Sequence, residues 1–248
     1  MTVSPDNARF ERIEKKFRLT PAQYEQLLPV LEEHMARDAY GETRIFNIFY
    51  DTPDLYLIRR SVERPLFKEK LRLRSYGIPA EDSLVYVEIK RKLNGIGYKR
   101  RISVPFADAK RLLRGEKIAT EQTQIEQEVA AFVKRYHPRP AVCLSYLRYA
   151  MYGREDPLFR ITVDRDLRYR TARPEAPDEN GMLPVMPDHD SWMLMEIKAM
   201  NAIPLWLTDA MSRLKIYQAP FSKIGTCYTL HLAGGQNNGE NRKDDSLC

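Results

Sequence analysis

The segment that most constrains the fold is KEKLRLR at residues 68–74. Alternate side chains of a β-strand point to opposite faces, so this segment places its four cations on one face and its leucines on the other. Four cations on one pleated face repel each other unless an anion lies against them. The segment therefore predicts a strand with an apolar core on one side and a polyanion on the other. Taken alone, an ordinary strand with a solvated basic face is the alternative.

Composition restricts the class of protein. The chain has 248 residues, enough for one large domain or two small ones, and its net charge of +6 favours an anionic ligand. Residues 1–12 lack the apolar stretch of a signal peptide, and no apolar run is long enough to span a bilayer, so we expect a soluble, cytoplasmic protein without a membrane segment. Cys143, Cys227 and Cys248 show no C-x-x-C spacing, so neither a disulfide framework nor a zinc site is predicted.

The alternating pattern recurs along the chain. Strands are predicted at residues 9–19, 42–51, 68–77, 83–93, 97–104, 141–152, 158–169 and 192–199. Asn94-Gly95 predicts a hairpin turn. Amphipathic helices are predicted after the Thr20 N-cap and at residues 106–114, 122–136 and 204–216. We assign residues 1–233 to a single domain and residues 234–248 to a disordered tail.

If the helices cover the apolar faces of these strands, the charged faces turn inward. An antiparallel sheet closed into a barrel then has a polar lumen, in which cations are costly unless an anion satisfies them. The predicted phosphate cage consists of Lys16, Arg72, Arg74, Lys90, Lys99, Arg148 and Lys223. Carboxylates on the same faces are candidate ligands for Mg²⁺ or Mn²⁺, above all Glu196, and then Glu14, Glu88 or Asp164.

In these elements the sequence resembles the VTC domain family of the triphosphate tunnel metalloenzymes, the CYTH superfamily. The resemblance runs from about Phe10 to about Leu230. It is carried by Glu14-x-Lys16, Ile48-Phe49-Tyr50-Asp51, Arg72-Leu73-Arg74-Ser75-Tyr76-Gly77, Val87-Glu88-Ile89-Lys90, Gly97-Tyr98-Lys99, Tyr146-Leu147-Arg148, Glu196-Ile197-Lys198 and Phe221-Ser222-Lys223. Each motif is short, and the specificity lies in their order and spacing.

The resemblance implies an α+β fold, an antiparallel eight-stranded β-barrel tunnel with helices packed outside. It implies a polyphosphate polymerase that transfers the γ-phosphate of ATP to a growing polyphosphate chain, with Mn²⁺ or Mg²⁺ as cofactor. The expected catalytic residues are Arg72, Arg74, Lys90 and Lys16. The expected phosphate-binding set adds Lys99, Arg148, Lys198 and Lys223, and Glu196 is the expected metal ligand. ATP, triphosphate and polyphosphate are the expected ligands, and nucleic acid is not.

Several alternatives remain open. The chain has Arg12 where the hydrolytic branch of the superfamily has the first glutamate of E-x-E-x-K. This difference favours the polymerase over a tripolyphosphatase or nucleoside triphosphatase. A non-catalytic polyphosphate-binding module and a nucleic-acid binder are further hypotheses. At single residues, Arg148 could pack on tyrosines, Glu196 could pair with a lysine, and Lys223 could be a surface lysine.

Overall fold

The computed structural model describes residues 12–63, 65–94, 96–118, 123–200 and 202–236. The predicted start of the first strand at residues 9–11, and residues 237–248 of the predicted tail, lie outside this described part.

The described strands pair in antiparallel fashion. Their bounds are β1 (Arg12–Leu19), β2 (Met35–Arg37), β3 (Thr43–Asp51), β4 (Phe67–Tyr76), β5 (Leu84–Leu93), β6 (Ile96–Pro105), β7 (Arg139–Gly153), β8 (Arg160–Arg170), β9 (Leu183–Pro184) and β10 (Met193–Met200). Eight of them follow the order β1-β10-β8-β7-β3-β4-β5-β6, with β2 beside β7 and β9 beside β8. The predicted fold class, α+β with an eight-stranded antiparallel sheet, is confirmed.

Helices accompany the strands. They are α1 (Pro21–His34), α2 (Tyr56–Val62), α3 (Phe106–Leu113), α4 (Gln124–Tyr136), α5 (Leu205–Arg213) and α6 (Lys223–Cys227), and a π-helical turn (Tyr228–Leu232) follows α6. None of the helices in the described residues combines the length and the apolar composition that crossing a bilayer requires.

The chain divides into two compact units. The first consists of the residues up to Thr43, Leu147–Arg165 and Asp188–Phe221, and the second of Arg44–Tyr146, Asp166–Pro187 and the residues from Ser222 onward. Each unit has its own hydrophobic core. The assignment of residues 1–233 to a single domain stays a prediction.

In the first unit, α1 and α5 pack against β1, β10 and the start of β8. Thr20 begins α1 with the predicted capping box, because its hydroxyl accepts from the Gln23 amide while the Gln23 side chain accepts from the Thr20 amide. Leu27 and Leu31 of α1 are buried. Phe17 and Leu19 of β1 are buried as well, which leaves the alternate positions of that strand for the charged face.

In the second unit, the apolar faces of β4, β5 and β6 are covered by α3 and α4. Leu71 and Leu73 of β4 lie in this core, as the alternation predicts, and Val129 and Phe132 bring α4 onto it. The capping box of Thr123 and Glu126 begins α4 one turn before these residues. The packing of leucines and helices on one side fixes the opposite side of β4 as the cationic side.

Candidate functional site

The second unit carries an ordered array of cations on the side of the sheet away from α3 and α4. Residues directly opposite each other in neighbouring strands project to the same side, so the pairing register defines the rows of this array. One row joins Arg74 of β4, Tyr86 of β5 and Ser103 of β6, and the next joins Arg72, Glu88 and Arg101. The third row joins Lys70, Lys90 and Lys99, and the fourth joins Lys68, Lys92 and Gly97. We call this array the basic face.

Glu88 is the centre of the basic face. Its side chain is 1% exposed. One carboxylate oxygen lies 2.6 Å from Nε of Arg72, and the other lies 2.7 Å from Nζ of Lys99 and 2.8 Å from Nε of Arg101. Nε of Arg74 is 4.0 Å away. One buried carboxylate thus holds four cations together, although each of them repels the other three.

These contacts change the proton affinity of the groups. Burial alone would raise the pKa of Glu88, but Arg72, Arg74 and Lys99 together outweigh it and hold that pKa far below its usual range. Burial lowers the pKa of Arg72, with Arg74 acting in the same direction. Burial likewise lowers the pKa of Lys99, against the effect of Glu88. The basic face therefore carries a costly excess of positive charge that a bound anion would relieve.

Polar and aromatic neighbours orient the arginines. The Nε of Arg74 donates to Oδ1 of Asn47 at 3.0 Å, and both side chains are buried. The guanidinium of Arg101 lies over the ring of Tyr86, 3.8 Å from its centroid. Arginines held at their Nε edge in this way present a fixed donor geometry, which suits phosphate oxygens better than a flexible surface cation does.

Lys223 also belongs to the second unit. Its Nζ lies 4.7 Å from the centroid of the Tyr146 ring. Lys223 therefore contacts an aromatic side chain and is not the simple surface lysine that was the alternative. Arg148, in the first unit, makes a bidentate ion pair with Asp164 at 2.6 and 2.7 Å.

The first unit contains the other predicted site residues. Lys16 faces Glu196 across the β1–β10 pair, with 3.8 Å between Nζ and Oε1. Nζ of Lys16 also lies 4.0 Å from Glu14 and donates to the carbonyl oxygen of Phe221 at 3.0 Å. Lys198 is opposite Glu14 in the register. This cluster has cations and carboxylates in alternation, whereas the basic face has one carboxylate among its described charged residues.

Glu196 and the neighbouring Thr162 hydroxyl offer oxygen atoms to a divalent cation, and Lys16 and Arg148 compete for the same carboxylate. Glu196 is 8% exposed, and Nη2 of Arg148 lies 3.9 Å from its carboxylate. Thr162 is its register partner in β8, and the buried Thr162 hydroxyl has no hydrogen-bond partner within the described part of the chain. Mg²⁺ takes one or two carboxylates and completes its shell with water and phosphate oxygens. The described residues contain no cluster of three or more His, Cys, Asp or Glu side chains that could enclose a metal by themselves, so phosphate oxygens would have to complete the shell.

Sequence reasoning identified Arg72, Arg74, Lys90 and Lys99 as a group, and the register places them on one face. It offered Glu88 as a candidate metal ligand, which stays a prediction, and it did not anticipate the contacts of Glu88 with four cations or any part for Arg101 and Asn47. The signal for Glu88 and Arg101 was available: both follow the alternation of their strands. Asn47 carried no comparable signal, because β3 is apolar at most other positions.

Fold and site together define a class, namely α+β proteins whose antiparallel sheet carries an ordered array of cations for a polyanion. The VTC domain family model matches residues 11–231, and the chain belongs to this family. No curated protein matches the sequence.

Solved structures match the chain at low identity, and two of them serve as examples. A protein of Vibrio parahaemolyticus, provisionally described as an adenylate cyclase, has a TM-score of 0.43 and 13% identity, with 85% of this chain and 94% of that chain covered. The PH1819 protein of Pyrococcus horikoshii OT3 has a TM-score of 0.37 and 11% identity, with 82% and 86% covered.

Proposed function

We propose that this protein is a polyphosphate polymerase, which transfers the γ-phosphoryl group of ATP to the end of a growing inorganic polyphosphate chain. Membership of the VTC domain family supports a ligand in the polyphosphate or triphosphate class. The observation that carries the proposal is the basic face, where the buried Glu88 holds Arg72, Arg74, Lys99 and Arg101 in a fixed array.

The reaction needs positioning and charge neutralisation more than a protein nucleophile. In the proposed step, a terminal phosphate oxygen of the chain attacks the γ-phosphorus of ATP. The bond from that phosphorus to the bridging oxygen breaks, and its electron pair leaves with ADP. Arg72 and Arg74 are proposed to bind oxygens of the transferred group, and Lys90 and Lys99 to neutralise the adjacent phosphates.

Glu88 has a supporting role in this proposal. A carboxylate in contact with a phosphate would repel the phosphate. The carboxylate of Glu88, however, contacts four cations, and these cations shield its charge from the ligand. Its contact with Arg72 uses the Nε edge, and the guanidinium has two further nitrogen atoms that can donate. Glu88 thus fixes the orientation of the arginine while the group keeps donors for phosphate.

In the first unit, Glu196 is proposed to bind Mn²⁺ or Mg²⁺, with Glu14 and the Thr162 hydroxyl as nearby oxygen donors. A bound divalent cation would offset the negative charge of the phosphates. Lys16, Arg148 and Lys198 are proposed to bind phosphate oxygens in that unit. Membership of the VTC domain family supports this proposal, although Lys16 and Arg148 already contact carboxylates of their own unit.

The test is to incubate the purified protein with ATP and Mn²⁺, with and without a short polyphosphate primer, and to resolve the products on a gel. The proposal predicts a ladder of phosphate polymers together with ADP. Release of free phosphate without polymer would instead favour a triphosphatase. If neither product forms while tripolyphosphate still binds, a non-catalytic binding module is the better description.

A further inference from the structure

One end of the β4–β5–β6 sheet carries a row of exposed apolar side chains. Phe67 of β4 is directly opposite Leu93 of β5, and Leu93 is directly opposite Ile96 of β6. The amide of Asn94 donates to the carbonyl oxygen of Leu66 at 2.8 Å, which holds Leu66 beside this row. The exposed fractions of the four apolar residues run from 42% for Phe67 to 76% for Leu66. We call these four residues the apolar tip.

The apolar tip lies beyond the part of the sheet that α4 covers. The neighbouring row on the same side joins Glu69 of β4, Arg91 of β5 and Tyr98 of β6. Helix α4 contacts this neighbouring row, because the Tyr136 hydroxyl donates to Glu69 and Glu128 pairs with Arg91. The tip is one row further out and is exposed. Contiguous exposed apolar side chains of this kind indicate an interaction surface.

Cations lie directly behind the apolar tip. Residues 90–101 contain six lysines and arginines and no carboxylate. Carboxylates of other elements pair with Arg91 and Arg100, whereas Lys90 and Lys92 are exposed. Lys92 is one residue behind the tip and Lys90 is three, which is roughly 10 Å along the strand. The charge at this end of the sheet therefore complements a negatively charged partner.

The order of these layers matches the surface of a bilayer. Apolar side chains of a peripheral protein enter the boundary between headgroups and acyl chains by about 5–10 Å, and lysines and arginines behind them meet anionic headgroups. Tyr98, which is 55% exposed, lies between the tip and most of the cations. Tyrosine rings favour this polar–apolar boundary. A second copy of the chain on the same surface would instead place the same cations against each other.

We propose that the apolar tip and the cations behind it dock this protein on a bilayer that contains anionic phospholipids. The attachment is peripheral, because only the tip enters the bilayer. The docking surface goes beyond the proposed function, since it does not require a phosphate chain or a nucleotide on the basic face.

The test is a flotation assay with two kinds of vesicle, one of phosphatidylcholine alone and one of an equal mixture of phosphatidylcholine and phosphatidylglycerol. The wild-type protein should float with the mixed vesicles and not with the neutral ones. The double variant Leu93→Ser with Ile96→Ser should lose about tenfold or more in partition onto the mixed vesicles. Leu205→Ser, which alters an 80% exposed leucine of α5, is the matched control and should float as the wild type does.

Two further readouts guard against a change in folding. The double variant should keep the melting temperature of the wild type and its affinity for tripolyphosphate, because the exposed tip is separate from the arginines of the basic face. Independently, Ile96→Trp places a fluorescent probe in the tip. Its emission should shift to shorter wavelength with the mixed vesicles and stay unchanged with the neutral ones.

Several results would overturn the docking surface. They are absence of the wild type from the mixed vesicles, equal flotation of the double variant and the wild type, and equal binding of the wild type to both kinds of vesicle. An unshifted emission of Ile96→Trp on the mixed vesicles would overturn it as well. If light scattering showed a wild-type dimer that the double variant converts to a monomer, the tip would be an interface between copies of the chain instead.

Discussion

The carboxylate of Glu88 lies 2.6 Å from the Nε of Arg72, in a position where the Glu88 side chain is 1% exposed. A buried ion pair of this kind costs desolvation of both charges, and here the cost increases because three further cations share the same carboxylate. The buried ion pair of Glu88 and Arg72 is therefore better explained by a role in ligand binding than by a contribution to stability. It organises cations that would otherwise move apart.

Glu88→Gln should destabilise the protein without ligand. The substitution keeps the shape of the side chain but leaves buried cations without their counter-charge, and the loss of one partner of a buried pair costs about 3–5 kcal/mol. Urea denaturation measures the change. Tripolyphosphate should raise the melting temperature of the variant more than that of the wild type, because the anion replaces the lost charge. Glu116→Gln, at an exposed pair with Arg114, is the matched control, and equal stability of all three proteins would contradict the assigned role.

The stabilising effect of Glu88 should depend on pH in a defined direction. Its pKa in the folded protein is far below the ordinary value of 4.5, so the folded state favours the ionised form. The stabilisation is therefore fully present above about pH 5 and decreases as the pH falls below 4.5 towards the folded pKa. The difference in unfolding free energy between wild type and Glu88→Gln, measured from pH 7 to pH 3, should shrink on the acidic side. If the difference in unfolding free energy grew on acidification, the direction assigned to the pKa shift of Glu88 would be wrong.

Glu196→Gln should remove a response to metal. Mn²⁺ is expected to raise the melting temperature of the wild-type protein in the presence of tripolyphosphate, because the carboxylate and the phosphate oxygens bind the ion together. The variant should lose this increment and should still bind tripolyphosphate without metal. Thr162→Val, which removes the buried hydroxyl beside Glu196, should reduce the increment.

The control for this metal experiment is Asp188→Asn, which alters an exposed carboxylate of the same unit that pairs with Arg18. Its Mn²⁺ increment should equal that of the wild type. An undiminished increment in Glu196→Gln would assign the ion to other ligands.

The strands and their charged faces were predictable because alternation is a local property. Phe17, Leu71 and Ile89 are buried in the positions that the two-residue period assigns to the core. Helix starts were equally local, since Thr20 and Thr123 both make capping boxes. The predicted strand ends within the described residues differ by at most two residues, as for the strand predicted at 158–169, which runs from Arg160 to Arg170, while the helix predicted at 204–216 ends three residues early at Arg213.

Elements that depend on distant partners were missed. The helix α2 was assigned to no element, because its N-cap residue, Leu55, has no capping side chain. The carboxylate of Asp51, in the preceding strand, accepts the amides of Leu57 and Ile58 instead. Burial raises the pKa of Asp51 against the effect of these hydrogen bonds. A cap that is six residues away from its target leaves no recognisable spacing in the sequence.

The environment of Glu69 in β4 was likewise not predictable from the sequence of that strand. It follows the leucine side of the alternation and is buried, where a carboxylate was not expected. The Tyr136 hydroxyl donates to it at 2.6 Å, and Arg91 donates from the neighbouring strand at 3.1 Å. These partners come from α4 and β5, so the strand alone could not indicate how this charge is satisfied.

The central claim is that the basic face binds phosphate groups through Arg72 and Arg74. The most direct measurement is a calorimetric titration of tripolyphosphate into the wild type, Arg72→Ala, Arg74→Ala and the exposed control Arg114→Ala, at one ionic strength. Either site variant should lose about tenfold to a hundredfold in affinity while remaining folded, because each loses charge-assisted hydrogen bonds to the ligand. The control should bind as the wild type does. Wild-type affinity in both Arg72→Ala and Arg74→Ala would contradict the claim.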